Sequence, residues 1–319
     1  MTIKFKLAIL SSFISLVTAN SAFANPVIPN DSKTQVQNIN NVPVVNIAAP
    51  NLSRVSRNVY KEFNIGEQGL VLNNAMEQVA SELVGQLDKN PNFRTLPAGL
   101  IINEIVGGNQ SQLLGKLEVA GIPASVMIAN PNGIMINGLS FNNIHEANLS
   151  TGIIDFDRRR NPIALKVTKG EITIGEKGLD STNVEYLNMF GRTFKVQGDI
   201  EADYIGINAG GLLADMKKLT YTAIEGEGAK PQFSIDTSDL GGIYANRIMI
   251  KITEKGSGVN LNDLDGKNQL IIQAIDSNFV NIKGLFRSDM PKIIEASQYI
   301  HKGIKHKWTE DNGWIEVGL

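Results

Sequence analysis

The best local candidates for catalytic chemistry in this sequence lie in IIDFDRRRNP, where Asp155 and Asp157 alternate just ahead of Arg158, Arg159 and Arg160. Alternate residues of a strand share a face, which would set the two aspartates side by side as acid and base next to a guanidinium, the equipment of a polysaccharide hydrolase or lyase. The run ends at Asn161-Pro162, and a charged, solvated turn is the simpler reading. His145, His301 and His306 are scattered, no pair has the spacing of a metal site, and there is no cysteine to complete a zinc centre. No nucleophile elbow, phosphate loop or metal triad occurs. The sequence therefore predicts no catalytic residue, no cofactor and no metal.

The more emphatic pattern is conformational. ANPNGIMING, residues 129–138, sets Asn130, Pro131, Asn132, Gly133 and Ile134 between the apolar run ASVMIA and the next apolar residues. Asn and Gly tolerate left-handed backbone and Pro fixes φ, so this is a tight turn between two strands. A second turn of the same kind stands at Asn90, Pro91, Asn92 and Phe93.

Elements that would position these turns follow from the rhythm of the chain. Short β-branched runs alternate with Gly, Asn and Pro from residue 42 onward, and from residue 164 they become regular alternating strands of four to eight residues. Three runs share a sub-pattern of a small residue, then Asp or Asn, then two apolar residues spaced by one: Ala202 to Ile207, Ala245 to Ile250 and Ser277 to Ile282, with Asp203, Asn246 and Asn278 at the second place. Recurrence over a few tens of residues is the mark of stacked solenoid coils, although a β-sandwich would also give alternating strands. One helix competes, from an Asn74 cap with Glu77 three residues on and Met76, Val79, Leu83 and Leu87 at helical spacing.

The N-terminus carries Lys4 and Lys6, an apolar run from Leu7 to Ala19, and Ala22-Phe23-Ala24 before Asn25. That order is a secretory signal peptide, cleaved between Ala24 and Asn25, and its apolar core is too short to span a bilayer. The remaining chain of about 295 residues is long enough to bury a core without disulfides. A net charge of −2 from 30 basic and 32 acidic residues argues against a nucleic-acid partner. Domain boundaries are expected at a signal peptide over 1–24, a flexible segment over 25–41, a β domain over 42–286 and an irregular tail over 287–319.

Residues 103–152, NEIVGG to NLSTG, resemble the core of the two-partner-secretion (TPS) domain of filamentous haemagglutinin-like exoproteins, and within them the contact-dependent-inhibition subgroup. PVVNIAAPNLSRVSRNVYKEFNIGEQGLVLNNA matches the family's opening, NPNF at 90–93 stands where Asn-Pro-Asn-Leu is usual, and the similarity runs over roughly 42–262. The resemblance implies an all-β, right-handed parallel β-helix with an N-terminal β cap and extra-helical hairpins. It also implies passage through the Sec translocon and recognition by a TpsB-type outer-membrane β-barrel transporter with periplasmic docking (POTRA) domains. A cell-surface receptor would follow if the chain is an adhesin, and a C-terminal toxin belongs to the inhibition systems. Many relatives have Cys-x-x-Cys after the Asn-Pro-Asn-Gly-Ile motif. This chain has Ile136 and Leu139 there, an apolar pair expected to pack in place of a crosslink.

Overall fold

The computed structural model describes residues 27–274, 277–289, 292–296, 298–309 and 313–317, so the leader with Ala24 and Asn25 lies outside the described residues. Among the described residues every regular element is a strand. Period-two alternation gives each strand one apolar side, and Gly, Asn and Asp at the breaks turn the chain through a corner rather than a hairpin. Successive strands therefore wind, and each pairs in parallel with its counterpart one coil later.

The winding makes three faces. Leu70–Asn74, Lys116–Gly121, Leu139–Asn142 and Leu179–Ser181 lie on the first, and Val55–Phe63, Leu100–Ile105, Ala124–Ala129, Ile144–Ser150 and Tyr186–Gly191 on the second. Ile200–Ala209, Gly242–Ile252 and Asp263–Ala274 run across both, which joins them in one 17-stranded sheet. The third face is a 10-stranded sheet that includes Ser111–Leu113, Ile134–Ile136, Glu171–Ile174 and Thr193–Val196. Its registers pair Ser111 with Ile134, Ile172 with Phe194, Ile235 with Val259 and Val259 with Val280, offsets of 23, 22, 24 and 21 residues per coil. Two coils are longer, with offsets of 38 from Ile134 to Ile172 and 41 from Phe194 to Ile235. The extra length is spent on two hairpins, Ile153–Phe156 with Pro162–Val167 and Leu212–Asp215 with Thr220–Ala223, which pair outside the helix as a four-stranded antiparallel sheet. This is the parallel β-helix with extra-helical hairpins expected from the sequence.

Stacked coils bury apolar residues in columns. Leu139, Leu179, Ile200, Ile243, Leu264 and Phe286 follow one another in register on the first face. On the second, one column reads Asn58, Asn103, Ile128, Leu149, Met189, Ile207, Ile250 and Ile272. Each added coil thus extends a continuous core, which is where the stability of a solenoid resides.

Four sequence expectations meet a different structure. Residues 27–39 form two strands: Val27–Pro29 pairs antiparallel with the Val55–Phe63 strand and Gln35–Ile39 with Val42–Asn46, so a segment read as flexible closes the N-terminal end of the helix. The expected helix after Asn74 is instead a two-stranded hairpin, Val79–Ser81 with Gly85–Leu87. Its apolar residues Val84 and Leu87 pack with Val71 and Ala120 on the outside of the first face, so burial against a sheet overrides the helical spacing. Asp203 and Asn246 do mark equivalent corners, with Ala202 paired to Ala245 and Ile205 to Ile248, but Phe279–Ile282 after Asn278 belongs to the third face. The true successor of Ile248 is Leu270, displaced by a bulge. The tail expected to be irregular holds Lys292–Ala296 and Gln298–His301 in parallel continuation of the helix, followed by an antiparallel hairpin of Ile304–Thr309 and Gly313–Glu316.

Candidate functional site: two Asn-Pro-Asn turns

Asn130 follows the strand Ala124–Ala129 and sits at the corner that leads to Ile134–Ile136. Its own amide donates to the Ser150 carbonyl of the next coil at 2.9 Å. Its side-chain Oδ1 accepts the Asn132 amide at 3.0 Å and its carbonyl accepts the Gly133 amide at 3.0 Å, which closes the turn around Pro131. The Nδ2 then reaches back one coil, to the Asn109 carbonyl and Ser111 Oγ, both at 2.9 Å. Asn132 repeats the reach with a 2.7 Å bond to the Gly107 carbonyl. Gly133 adopts φ 111°, a backbone angle that favours glycine, and a Cβ there would crowd the Glu171 carbonyl at 3.0 Å. Ile134 then enters the core.

The second turn has the same wiring. Asn90 Oδ1 accepts the Asn92 amide at 2.9 Å, the Asn90 carbonyl accepts the Phe93 amide at 3.1 Å, and Asn90 Nδ2 donates to the Ile47 and Asn73 carbonyls at 3.0 and 2.8 Å. Asn92 Nδ2 lies within 3.1 Å of the Lys33, Asn46 and Ile47 carbonyls, which ties the turn to the N-terminal cap. Phe93 is buried in the core where Gly133 stands in the other copy. Asn90 and Asn130 are both fully buried, while Pro91 and Asn132 are exposed. Chemically these turns offer amides and carbonyls already engaged with backbone. They are clamps between coils.

The other singled-out residues do not converge. Asp157 caps the turn of the hairpin outside the helix, where its Oδ1 accepts the Arg159 and Asn161 amides at 2.8 Å. The Asn161 backbone amide above all holds its carboxyl below the usual carboxylate range. Arg158, Arg159 and Arg160 project from that tip, exposed. Among the described residues no three His, Asp or Glu side chains come together to hold a metal ion. Ile136 and Leu139 are both buried in the main core.

Several buried polar groups escaped the sequence reading. Asn58 accepts the Ala48 amide and the Thr34 hydroxyl and donates to the Ile102 carbonyl, and Asn103 accepts the Tyr60 hydroxyl at 3.0 Å. Glu118, on the outside of the first face, accepts the Ser81 hydroxyl and the Glu82 and Leu83 amides at 2.9, 2.9 and 3.0 Å and so anchors the small hairpin. Asn74, read as a helix cap, instead bridges corners: its Nδ2 donates to the Ala98 and Ile122 carbonyls. Asparagine abundance was the available signal, and parity along the strands hid which of them faced inward.

Comparison with known proteins agrees with this architecture. The family model of the TPS secretion domain matches residues 23–278. The chain is 43% identical over 229 residues to a tRNA nuclease CdiA of Yersinia mollaretii, covering 72% of this chain and 8% of that protein. It is 37% identical over 273 residues to a 16S rRNA endonuclease CdiA of Enterobacter cloacae, covering 83% of this chain and again 8% of the relative. The nuclease names therefore describe far longer proteins. The crystal structure of a filamentous hemagglutinin secretion domain superposes with a TM-score of 0.74 at 31% identity, over 87% of this chain and 97% of that one. With a β-helix, two Asn-Pro-Asn corner clamps and a family match over most of its length, the chain belongs to the TPS secretion-domain family.

Proposed function

We propose that this domain is the export signal of a secreted or surface-held exoprotein, read in the periplasm by the docking domains of a TpsB-type outer-membrane barrel after the Sec translocon has delivered the chain and the leader has been cut between Ala24 and Asn25. What supports the reading is that the likeness to a solved secretion domain spans 97% of that domain. No nucleotide or proton gradient is available at the outer membrane, so folding outside must bias movement. Each coil that stacks on the emerged cap buries apolar surface at about 25 cal/mol per Å² and opposes back-sliding.

The clamps matter to this process because they fix where each early coil turns. Replacing Asn130 and Asn132 by Ala leaves the buried Ser111 hydroxyl without the Asn130 donor, a loss of about 1–3 kcal/mol, and also removes the more exposed bonds to the Asn109 and Gly107 carbonyls, about 0.5–1.5 kcal/mol each. The expected result is normal leader cleavage with the protein held or degraded in the periplasm. Normal appearance of this double variant in the medium contradicts the role given to the turn.

A second reading is favoured by the relatives named as nucleases: the domain heads a toxin-delivery exoprotein, or the remnant of one. Sequencing the gene downstream tests it, since an in-frame continuation with repeats and a terminal toxin domain is expected, and unrelated DNA contradicts it.

A further inference from the structure

The four-stranded sheet outside the helix presents both of its hairpin turns at one end. Pro162 pairs with Phe156 and Asp215 with Thr220, and the Met216 amide donates to the Ile163 carbonyl, so the turns 157–161 and 216–219 stand side by side. These turns carry Arg158, Arg159, Arg160, Lys217 and Lys218, all exposed. Against these five cations stand Asp157 and Asp215, with Asp155 exposed on the strand that leads into the first turn. The Asp157 and Asp215 carboxylates are turned into their own turns, where they accept backbone amides at 2.8 to 3.0 Å, and Lys218 lies 3.7 Å from Asp215. A chain of net charge −2 thus concentrates positive charge at this end.

Two leucines accompany the cations. Leu219 in the second turn is 80% exposed and holds φ 54°, a backbone angle that a leucine rarely adopts. Leu52 is 97% exposed, and its neighbour Asn51 binds the first turn directly, with Nδ2 2.9 Å from both the Arg159 carbonyl and Asn161 Oδ1. Apolar side chains held out in water at the same end as exposed Arg and Lys match a bilayer surface: anionic headgroups take the cations and the leucines enter the acyl boundary. An acidic protein surface would need a shaped pocket for each leucine, whereas lipid accepts them anywhere along the surface.

We propose that this end of the extra-helical sheet docks on a lipid bilayer bearing anionic headgroups. The surface is separate from the Asn-Pro-Asn clamps and does not depend on which transporter reads the domain. The test is co-sedimentation of the protein, purified from cells that export it, with vesicles of equimolar phosphatidylglycerol and phosphatidylcholine, and with phosphatidylcholine alone. Binding is expected only to the anionic vesicles and is expected to fade as salt screens the cations. Arg158→Gln/Arg159→Gln/Arg160→Gln should weaken it about a hundredfold at low salt. Leu52→Ser/Leu219→Ser should weaken it about tenfold without a change of charge. A charge-matched control, Lys89→Gln/Lys195→Gln/Lys302→Gln, should bind as the unaltered protein does. All variants are compared at matched circular-dichroism spectra. The proposal is overturned by absence of anionic-vesicle binding, by equal losses in the control, by a leucine variant that binds unchanged, or by capture of an acidic protein through these arginines without vesicle binding.

Discussion

Asn58 and Asn103 occupy places in a column that is apolar in every later coil, and they do so where the helix begins. A solenoid end has no preceding coil to cover it, and the amides use that position to bind the cap: Asn58 takes the Thr34 hydroxyl and the Ala48 amide, and Tyr60 donates to Asn103. Burial, and secondarily the charge of Asp31, pushes the Tyr60 phenol well above its ordinary value of 10.0. The neutral form is therefore favoured in the folded protein, and its contribution is whole below pH 10 and falls as pH rises from there through the folded pKa. Tyr244 behaves likewise, raised to about 12 by burial and its bond to Asp263. Tyr60→Phe should shallow the loss of stability above pH 10 by about 1.4 kcal/mol per pH unit, read from denaturant midpoints across that range. A slope equal to that of the unaltered protein contradicts this role for the buried phenol. At Gly133, φ 111° and the nearby Glu171 carbonyl make Gly133→Ala costly, about 1–3 kcal/mol, seen as a lowered melting temperature. The turn residues were legible in the sequence because Asn, Pro and Gly reveal backbone angles. The inward asparagines were not, since in VSRNVYKEF the residues of the other parity, Val55 and Val59, look like the core side.

Strands and hairpins follow different rules of legibility. The parallel strands announced themselves by alternation, and the corner at Asp203 and Asn246 by its repeat, where Asn246 Nδ2 donates to Asp203 Oδ1 at 2.5 Å. The hairpin of Val79–Ser81 and Gly85–Leu87 did not, because three-residue strands are too short to show a period and what holds them is a distant carboxylate. Glu118→Ala removes three accepted hydrogen bonds at a buried position. It should loosen residues 79–87 by about 1–3 kcal/mol, visible as faster amide exchange and protease cleavage there while the coils keep their protection. Uniform loss of protection across the coils contradicts a local anchor. Ile207 and Ile250 by contrast are fully buried and adjacent in one column. Ile207→Asp places an unpaired charge there at a cost of several kcal/mol, against a total stability of about 5–15 kcal/mol, and should unfold the domain by circular dichroism.

At the scale of the molecule, the columns, the cap and the two clamps make one continuous core to which coils can be added one at a time from the capped end. That property is what an export process without a fuel source can use, since every coil completed outside lowers the free energy of the portion already through. The β-helix was legible from strand rhythm and family resemblance together. The closure of its N-terminal end was not, because Asn-rich polar segments such as 35–39 read as loops until a partner strand is seen. The most direct test is export of the chain from cells with and without a cognate TpsB-type barrel, measured as folded protein in the medium. Appearance that requires the barrel, with leader-cleaved protein retained in its absence, is the predicted result; equal secretion from cells lacking every such transporter contradicts it.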